Sequence, residues 1–223
     1  MRVVDRTAEI IRRCRSKRVL HLGCTNWPDT RECVETGRLL HAEIDRASAH
    51  VIGVDKSAEG LEMLRCLNPS WDLRQHDPCT FVPNTDIDII VATELIEHLD
   101  NPGQLLSGVA RWATPRHELI VSTPNGYSLK GALRALLGHE NCHRDHAVMF
   151  TAKTLCQNLA RNGWVSTDVL YHESMPSGGV RIFPAYAAQV FSTLVAPRTS
   201  DGLMVIAHRA EESAGTTQRQ RAA

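Results

Sequence analysis

Four short stretches of this chain are apolar almost throughout: Arg18 to Gly23 (RVLHLG), His50 to Asp55 (HVIGVD), Asp86 to Ala92 (DIDIIVA) and Glu118 to Ser122 (ELIVS). A strand with one wet face alternates apolar and polar residues. A strand buried on both faces has no reason to alternate, and such runs mark mostly parallel sheets covered on each side. Parallel neighbours cannot be joined by a tight turn, so the chain must cross back over the sheet, usually as a helix. The intervening segments supply those crossovers. Arg31 to Ala47, Ala58 to Leu67 and Gly103 to Ala113 predict helices, the second stopped by Asn68-Pro69. A leading helix is expected over Val4 to Cys14, with Ile10 and Ile11 on its apolar side, and a further strand over Trp71 to Gln75. Later, Ser128 to Leu137 and Thr151 to Asn162 predict helices, the latter ended by Gly163, and Val165 to Tyr171 and Met204 to His208 predict strands. The expected architecture is α/β: a doubly wound, mostly parallel, seven-stranded sheet with helices on both faces.

The length of 223 residues suits one such domain, expected over residues 1–210, with the polar, aperiodic stretch 211–223 expected to be a disordered tail. Lys+Arg and Asp+Glu are equal at 25 each, so bulk charge gives no sign of a nucleic-acid binder. The N-terminal residues lack the apolar core of a signal peptide. The longest apolar candidate for a membrane span, Ile182 to Pro197, is shorter than the roughly 20 residues a bilayer requires and contains Pro184. The segment Phe183 to Leu194 is amphipathic and reads as core or pocket wall, with peripheral membrane contact as the lesser alternative. The seven cysteines (Cys14, Cys24, Cys33, Cys66, Cys79, Cys142 and Cys156) are scattered, odd in number and without a Cys-x-x-Cys pair. They predict reduced thiols and a cytoplasmic protein rather than a disulfide or zinc framework.

In open parallel sheets, ligands bind beyond the carboxyl ends of the strands, where the strand order reverses. The first run ends at Gly23, where the lack of a Cβ lets the backbone turn sharply against a ligand. The second ends at Asp55, a carboxylate able to accept from both hydroxyls of a ribose. Each alone is also explained as a turn or a helix cap; together they favour a nucleoside. A dinucleotide site needs G-x-G-x-x-G, but Gly23 is followed by Cys24, Thr25, Asn26 and Trp27, with no further glycine until Gly37. That loop suits a ligand without a pyrophosphate.

With those positions in hand, RVLHLGCTN resembles the first motif of class I, Rossmann-like methyltransferases, and VIGVDKSAEGLEML their ribose motif. DIDIIVATELIEHLDNPGQLL and ELIVSTPNGYS are similar to their fourth- and fifth-strand motifs, and HRDHAVMFTAKTLCQNLARNGW to a later segment. This order resembles that of the ubiquinone-biosynthesis-like O-methyltransferases and covers Arg18 to His208. The resemblance implies S-adenosylmethionine as cofactor. It implies that His21, Gly23 and Cys24 line the methionine end, Asp55 and Lys56 the ribose, Asp77 the adenine, and Thr93 and Glu94 the wall after the fourth strand. His21 replaces the family's usual acidic residue, and Thr25-Asn26 its Gly-x-Gly.

Methyl transfer is an in-line displacement at an activated sulfonium carbon, so the protein mainly aligns the partners. A hydroxyl acceptor gains from a base or a metal. His98 and His146 are the candidate bases, with imidazole pKa values suited to the task. Glu94, Glu97 and His98, expected on one helical turn, together with His146, also form a candidate site for Mg²⁺ or a similar divalent ion. That set resembles metal-dependent relatives, including small-RNA 2′-O-methyltransferases; in metal-free relatives the same stretch is structural. Cys142, His139 and His146 lack the partner pair of a zinc site. The expected activity is methylation of a small-molecule hydroxyl. The alternatives are a metal-dependent RNA 2′-O-methyltransferase and a non-catalytic binding protein.

Overall fold

The computed structural model describes residues 2–139, 142–173 and 190–211. The strands are β1 (Arg2–Val3), β2 (Arg18–Leu22), β3 (His50–Asp55), β4 (Asp72–Gln75), β5 (Ile89–Thr93), β6 (Glu118–Pro124), β7 (Trp164–His172) and β8 (Gly202–Arg209). They form one sheet in the order β1-β7-β8-β6-β5-β2-β3-β4. All neighbours are parallel except β8, which runs antiparallel to both β6 and β7. From β2 the chain winds outward to β3 and β4, then returns to β5 on the other side of β2. The order therefore reverses between β2 and β5, and their carboxyl ends frame a crevice.

The apolar runs behave as strands wetted on neither face. Leu20, Leu22, Ile52, Val54, Ile90 and Ala92 pack into one core cluster. Their immediate neighbours Val19, Val51, Ile89 and Val91 pack into another on the opposite face. Helix α1 (Arg6–Cys14) covers the second face with Ile10 and Cys14, and α3 (Leu40–Ala47) joins it with Leu40 and Ile44. Helix α5 (Pro102–Ala110) and the later helix Ala152–Arg161 cover the first with Leu105, Leu106, Leu155 and Leu159. Burying each such side chain contributes about 1.5–3 kcal/mol. Helix α4 (Ala58–Leu67) closes a smaller cluster in which Leu61 and Leu64 meet Cys24, Leu39 and Leu73.

Three boundaries differ from the sequence expectation. The helix expected over Arg31 to Ala47 is two helices, α2 (Thr30–Glu35) and α3. Gly37 adopts φ +65 between them, and Arg38 N–H donates to Cys33 O while Gly37 N–H donates to Val34 O. A left-handed glycine with those two bonds ends a helix. The strand expected from Asp86 begins at Ile89, because Asp86 and Asp88 turn outward to the guanidinium of Arg18. The sheet has eight strands rather than seven. The addition is β1, a two-residue edge strand parallel to β7, too short to show in periodicity. Two further helices are α6 (Leu129–Leu136) and α7 (Ala152–Arg161); Thr151 caps α7 in a capping box. Among the described residues, no helix is long and apolar enough to cross a membrane. The expected tail lies outside the described residues from 212 onward, as does the amphipathic segment from 183 to 189.

Candidate active site

The cofactor end is built from backbone turns. Gly23 follows β2 with φ +75, and its N–H donates to Val54 O of β3. A Cβ there would lie 3.1 Å from Leu95, so the position is set both by conformation and by close approach. One strand over, Asp55 ends β3. Its Oδ2 accepts from Thr25 N–H at 3.1 Å and from the Thr25 hydroxyl at 2.8 Å, and its Oδ1 accepts from Ser57 N–H at 3.0 Å. Ser57 caps α4 by accepting from Gly60 N–H, which fixes where that helix leaves Asp55. Lys56 places its ammonium 3.1 Å from Asp77, just beyond β4. Burial opposes the Asp77 charge, but the Cys79 N–H and the Lys56 ammonium outweigh it and hold its carboxyl below the usual range. Gly23, Asp55, Lys56 and Asp77 thus lie at the carboxyl ends of three adjacent strands.

His21 and Cys24 occupy a different place. The His21 side chain is buried and stacks on His41 of α3, with the two Nδ1 atoms 3.2 Å apart. Burial lowers both imidazoles, His21 well below its ordinary value and His41 to about 4. Gly53 lacks the Cβ that would collide with His41, Leu73 and Cys24. The Cys24 thiol is buried, and burial raises its pKa far above the usual thiol value. Both side chains belong to the packing beneath the loop and are closed to solvent.

The acceptor end starts from Thr93, the buried last residue of β5. Glu94 follows with φ +48, a left-handed conformation uncommon for a residue with a side chain. Its carboxylate accepts from the Ser122 hydroxyl at 2.8 Å and pairs with Arg6 of α1 at 3.0 Å. Only a single 3₁₀ turn follows, Ile96–His98, so the expected helical turn joining Glu94, Glu97 and His98 is absent. Glu97 points inward. It is 1 % exposed and neither carboxylate oxygen has a hydrogen-bond partner; Thr123, near enough to favour its charge, is also without a formed hydrogen bond. Burial first, and the charge of Glu94 second, push the Glu97 carboxyl well above the usual range.

His98 points outward to meet the loop before α7. Ala147 N–H and Val148 N–H both donate to Glu97 O, which clips that loop against the turn after β5. The rings of His98 and His146 come to 4.7 Å, centroid to centroid, and His98 Nδ1 lies 3.2 Å from Asp145 O. His143 joins them: one nitrogen from each of His98, His143 and His146 lies within 4.8 Å of the others. Burial and the two neighbouring imidazoles lower the His146 pKa. Of the four residues expected to hold a divalent ion, the fold gathers His98 and His146 and leaves Glu94 and Glu97 outside that group. Cys142 Sγ lies 3.8 Å from His146 Nδ1. Three contributors were not singled out in the sequence: Thr25, Arg6 and His143. His143 was signalled by its spacing from His146; Arg6 had no local signal.

A family model described as a methyltransferase domain matches residues 2–169. The chain belongs to the methyltransferase-domain family. This methyltransferase is 26 % identical over 167 residues to a ubiquinone biosynthesis O-methyltransferase of Aeromonas salmonicida, covering 69 % of this chain and 65 % of the relative. It is 30 % identical over 114 residues to a probable S-adenosylmethionine-dependent methyltransferase of Mycolicibacterium smegmatis, covering 51 % and 40 %. The chain thus spans 40 % to 65 % of the length of the curated relatives it matches. Its fold is that of the N-methyltransferase NodS from Bradyrhizobium japonicum in complex with S-adenosyl-L-homocysteine (TM-score 0.58, 12 % identity, 92 % of this chain and 86 % of that one). The same holds for the small RNA methyltransferase HEN1 (TM-score 0.60, 22 % identity, 93 % of this chain and 25 % of that one). The sheet is the Rossmann-like one expected from the apolar runs.

Proposed function

We propose that this methyltransferase moves a methyl group from S-adenosylmethionine to a hydroxyl of a small molecule, with His98 and His146 at the reacting end. The observation that carries the reading is the pair of imidazoles 4.7 Å apart beyond β5, beside a crevice that already holds a turned Gly23 and a ribose-competent Asp55. The residues present suit the cofactor. Asp55 offers a carboxylate at the strand end, Asp77 an acceptor one strand further, and Gly23 a backbone surface with no side chain. When bound, the cofactor supplies the electrophilic methyl. The chain's own part is to align the acceptor oxygen with it and to take the acceptor's proton. His146, kept neutral by burial and by two neighbouring imidazoles, is suited to take that proton at Nε2 or Nδ1. His98 is placed to hold the acceptor or relay the proton. The ubiquinone biosynthesis relatives support a hydroxyl as the methylated group. Equal numbers of basic and acidic residues support a small molecule over a nucleic acid. We likewise take residues 1–210 as one catalytic domain.

Calorimetry with S-adenosylhomocysteine tests the first half of this reading. Micromolar binding to the wild type that is weakened in Asp55→Ala is the expected result. A folded wild-type protein that binds no S-adenosylhomocysteine would return the chain to a non-catalytic role.

Glu97 favours a second reading. A buried carboxylate with neither oxygen partnered is a costly arrangement unless the carboxyl is protonated or a cation neutralises it. A divalent ion at His98 and His146 would lower the pKa of an acceptor hydroxyl, an RNA 2′-hydroxyl in this reading, but Glu97 faces inward and Glu94 lies outside the imidazole group, so both carboxylates would have to turn to reach it. Arg6 and Ser122 now occupy Glu94, so the ion would have to displace them. Titration with Mg²⁺ and Mn²⁺ decides it: binding abolished by Glu97→Gln supports the ion, and no binding of either to the wild type removes it.

A further inference from the structure

We propose that Thr25 sets cofactor affinity by occupying the ribose carboxylate with its own hydroxyl. The inference rests on Asp55 being the ribose residue. An ionised carboxylate offers about four lone-pair positions. Asp55 already receives three donors: Thr25 N–H and the Thr25 hydroxyl on Oδ2, and Ser57 N–H on Oδ1. A ribose diol brings two more donors, one too many. The two backbone N–H groups are fixed by the loop and by the start of α4. The Thr25 hydroxyl is the one donor that can turn away.

Thr25 is not a surface residue that happens to touch Asp55. It is fully buried. A Cβ on Gly60 of α4 would come within 2.8 Å of both Thr25 Cβ and Oγ1, so the helix leaves space for this side chain. The hydroxyl also accepts from Trp27 N–H at 3.3 Å, which ties it to the loop over the crevice. The side chain is wedged between α4 and Asp55 with its hydroxyl on the carboxylate. Nucleoside binding therefore trades a short bond to a charged oxygen for one of the two ribose bonds. Thr25 is a positioning and affinity-setting residue, not a catalytic one.

The experiment measures S-adenosylhomocysteine and its 2′-deoxy analogue by calorimetry on wild type, Thr25→Val, Thr25→Ser and Asp55→Ala. Valine keeps the shape and removes the competing donor. Thr25→Val is expected to bind S-adenosylhomocysteine about tenfold more tightly than wild type, the scale of one hydrogen bond to a charged group. Thr25→Ser, which keeps the hydroxyl, is expected to match wild type. The wild type is expected to discriminate weakly between the two ligands and Thr25→Val strongly, because only the variant offers both hydroxyls a place on Asp55. Unchanged or weaker binding by a folded Thr25→Val overturns the proposal. So does a Thr25→Ser that binds like Thr25→Val. If Thr25→Val does not fold, the wild type still decides: tenfold or greater discrimination against the 2′-deoxy analogue, about one charged hydrogen bond, overturns the proposal. Unchanged binding in Asp55→Ala would fault the ribose assignment itself, a result separate from any of these.

Discussion

The two ends of the crevice are built differently. At the proposed cofactor end, Gly23, Asp55 and Asp77 sit just at or beyond the tips of β2, β3 and β4, and the carboxylates' partners Thr25, Ser57 and Cys79 come from the short loops that follow those strands. At the acceptor end, His98, His143 and His146 come from a 3₁₀ turn and a loop 45 residues later, clipped together by two bonds to one carbonyl. The first end lies directly at the strand tips. The second depends on a loop whose surroundings are open: Tyr127 is 69 % exposed and Met149 60 %. The proposed acceptor residues thus sit on a loop above a strand-end frame, in keeping with the general concentration of binding residues on loops.

The sharpest way to break this division is to remove the imidazoles. His98→Ala combined with His146→Ala is expected to lower single-turnover methyl transfer to hydroxylated acceptors by about 10²- to 10⁴-fold, the range of general acid–base catalysis, while S-adenosylhomocysteine affinity changes by less than about twofold. Calorimetry beside a labelled-methyl assay reads both. A parallel loss of cofactor affinity would show that the ends are not independent. The converse substitution, Asp55→Ala, is expected to weaken S-adenosylhomocysteine binding by about tenfold, since the ribose gains two bonds to the carboxylate and displaces the one from Thr25.

Acid separates the two ends by a different route. His41 lies beneath the cofactor loop and stays neutral, with its pKa lowered to about 4 by burial. In the unfolded chain it takes up a proton near pH 6.5. The unfolded state therefore binds more protons between about pH 6.5 and 4, and stability falls as pH is lowered through that window. Its share is about 3 kcal/mol at most. Thermal melts from pH 7.5 to 4 are expected to show this slope, and His41→Leu to reduce it, leaving the share of the other buried imidazoles His21 and His172, both lowered by burial. The smallest effect belongs to Arg6→Ala. Its pair with Glu94 is partly solvated, with each side chain 30 % exposed, so a loss of no more than about 1 kcal/mol is expected in denaturant melts. A larger loss would mean that the left-handed Glu94 depends on Arg6 for its conformation.

Much of this was legible in the residues. The runs at Arg18, His50, Asp86 and Glu118 were apolar on successive positions, and Val19 and Leu20 do pack on opposite faces. Gly23 and Asp55 were legible because each ends such a run, and strand ends in a parallel sheet share one edge. The break at Gly37 was missed because the residues on either side keep helix-compatible spacing, and only the left-handed glycine shows where the chain turns. The placing of Glu94 was missed for a related reason. Spacing of Glu94, Glu97 and His98 suggested one helical face, but the chain passes through φ +48 and sends Glu97 inward and His98 out. His21 and Cys24 were placed at the methionine end by the resemblance of their motif alone; in the fold His21 stacks on His41 and Cys24 packs with Leu39, Leu61, Leu64 and Leu73, so both side chains are buried.

The sequence by itself determined the sheet, its parallel sense and the strand-end positions, because hydrophobic burial with a fixed two-residue period acts locally and repeats along each run. Tertiary structure alone decided which side chains face one another across the chain. Thr25 meets Asp55, Arg6 meets Glu94, and His143 and His146 meet His98 over 30, 88, 45 and 48 residues of sequence. Such contacts are set by where helices and loops land after the sheet has formed, and no local preference encodes them.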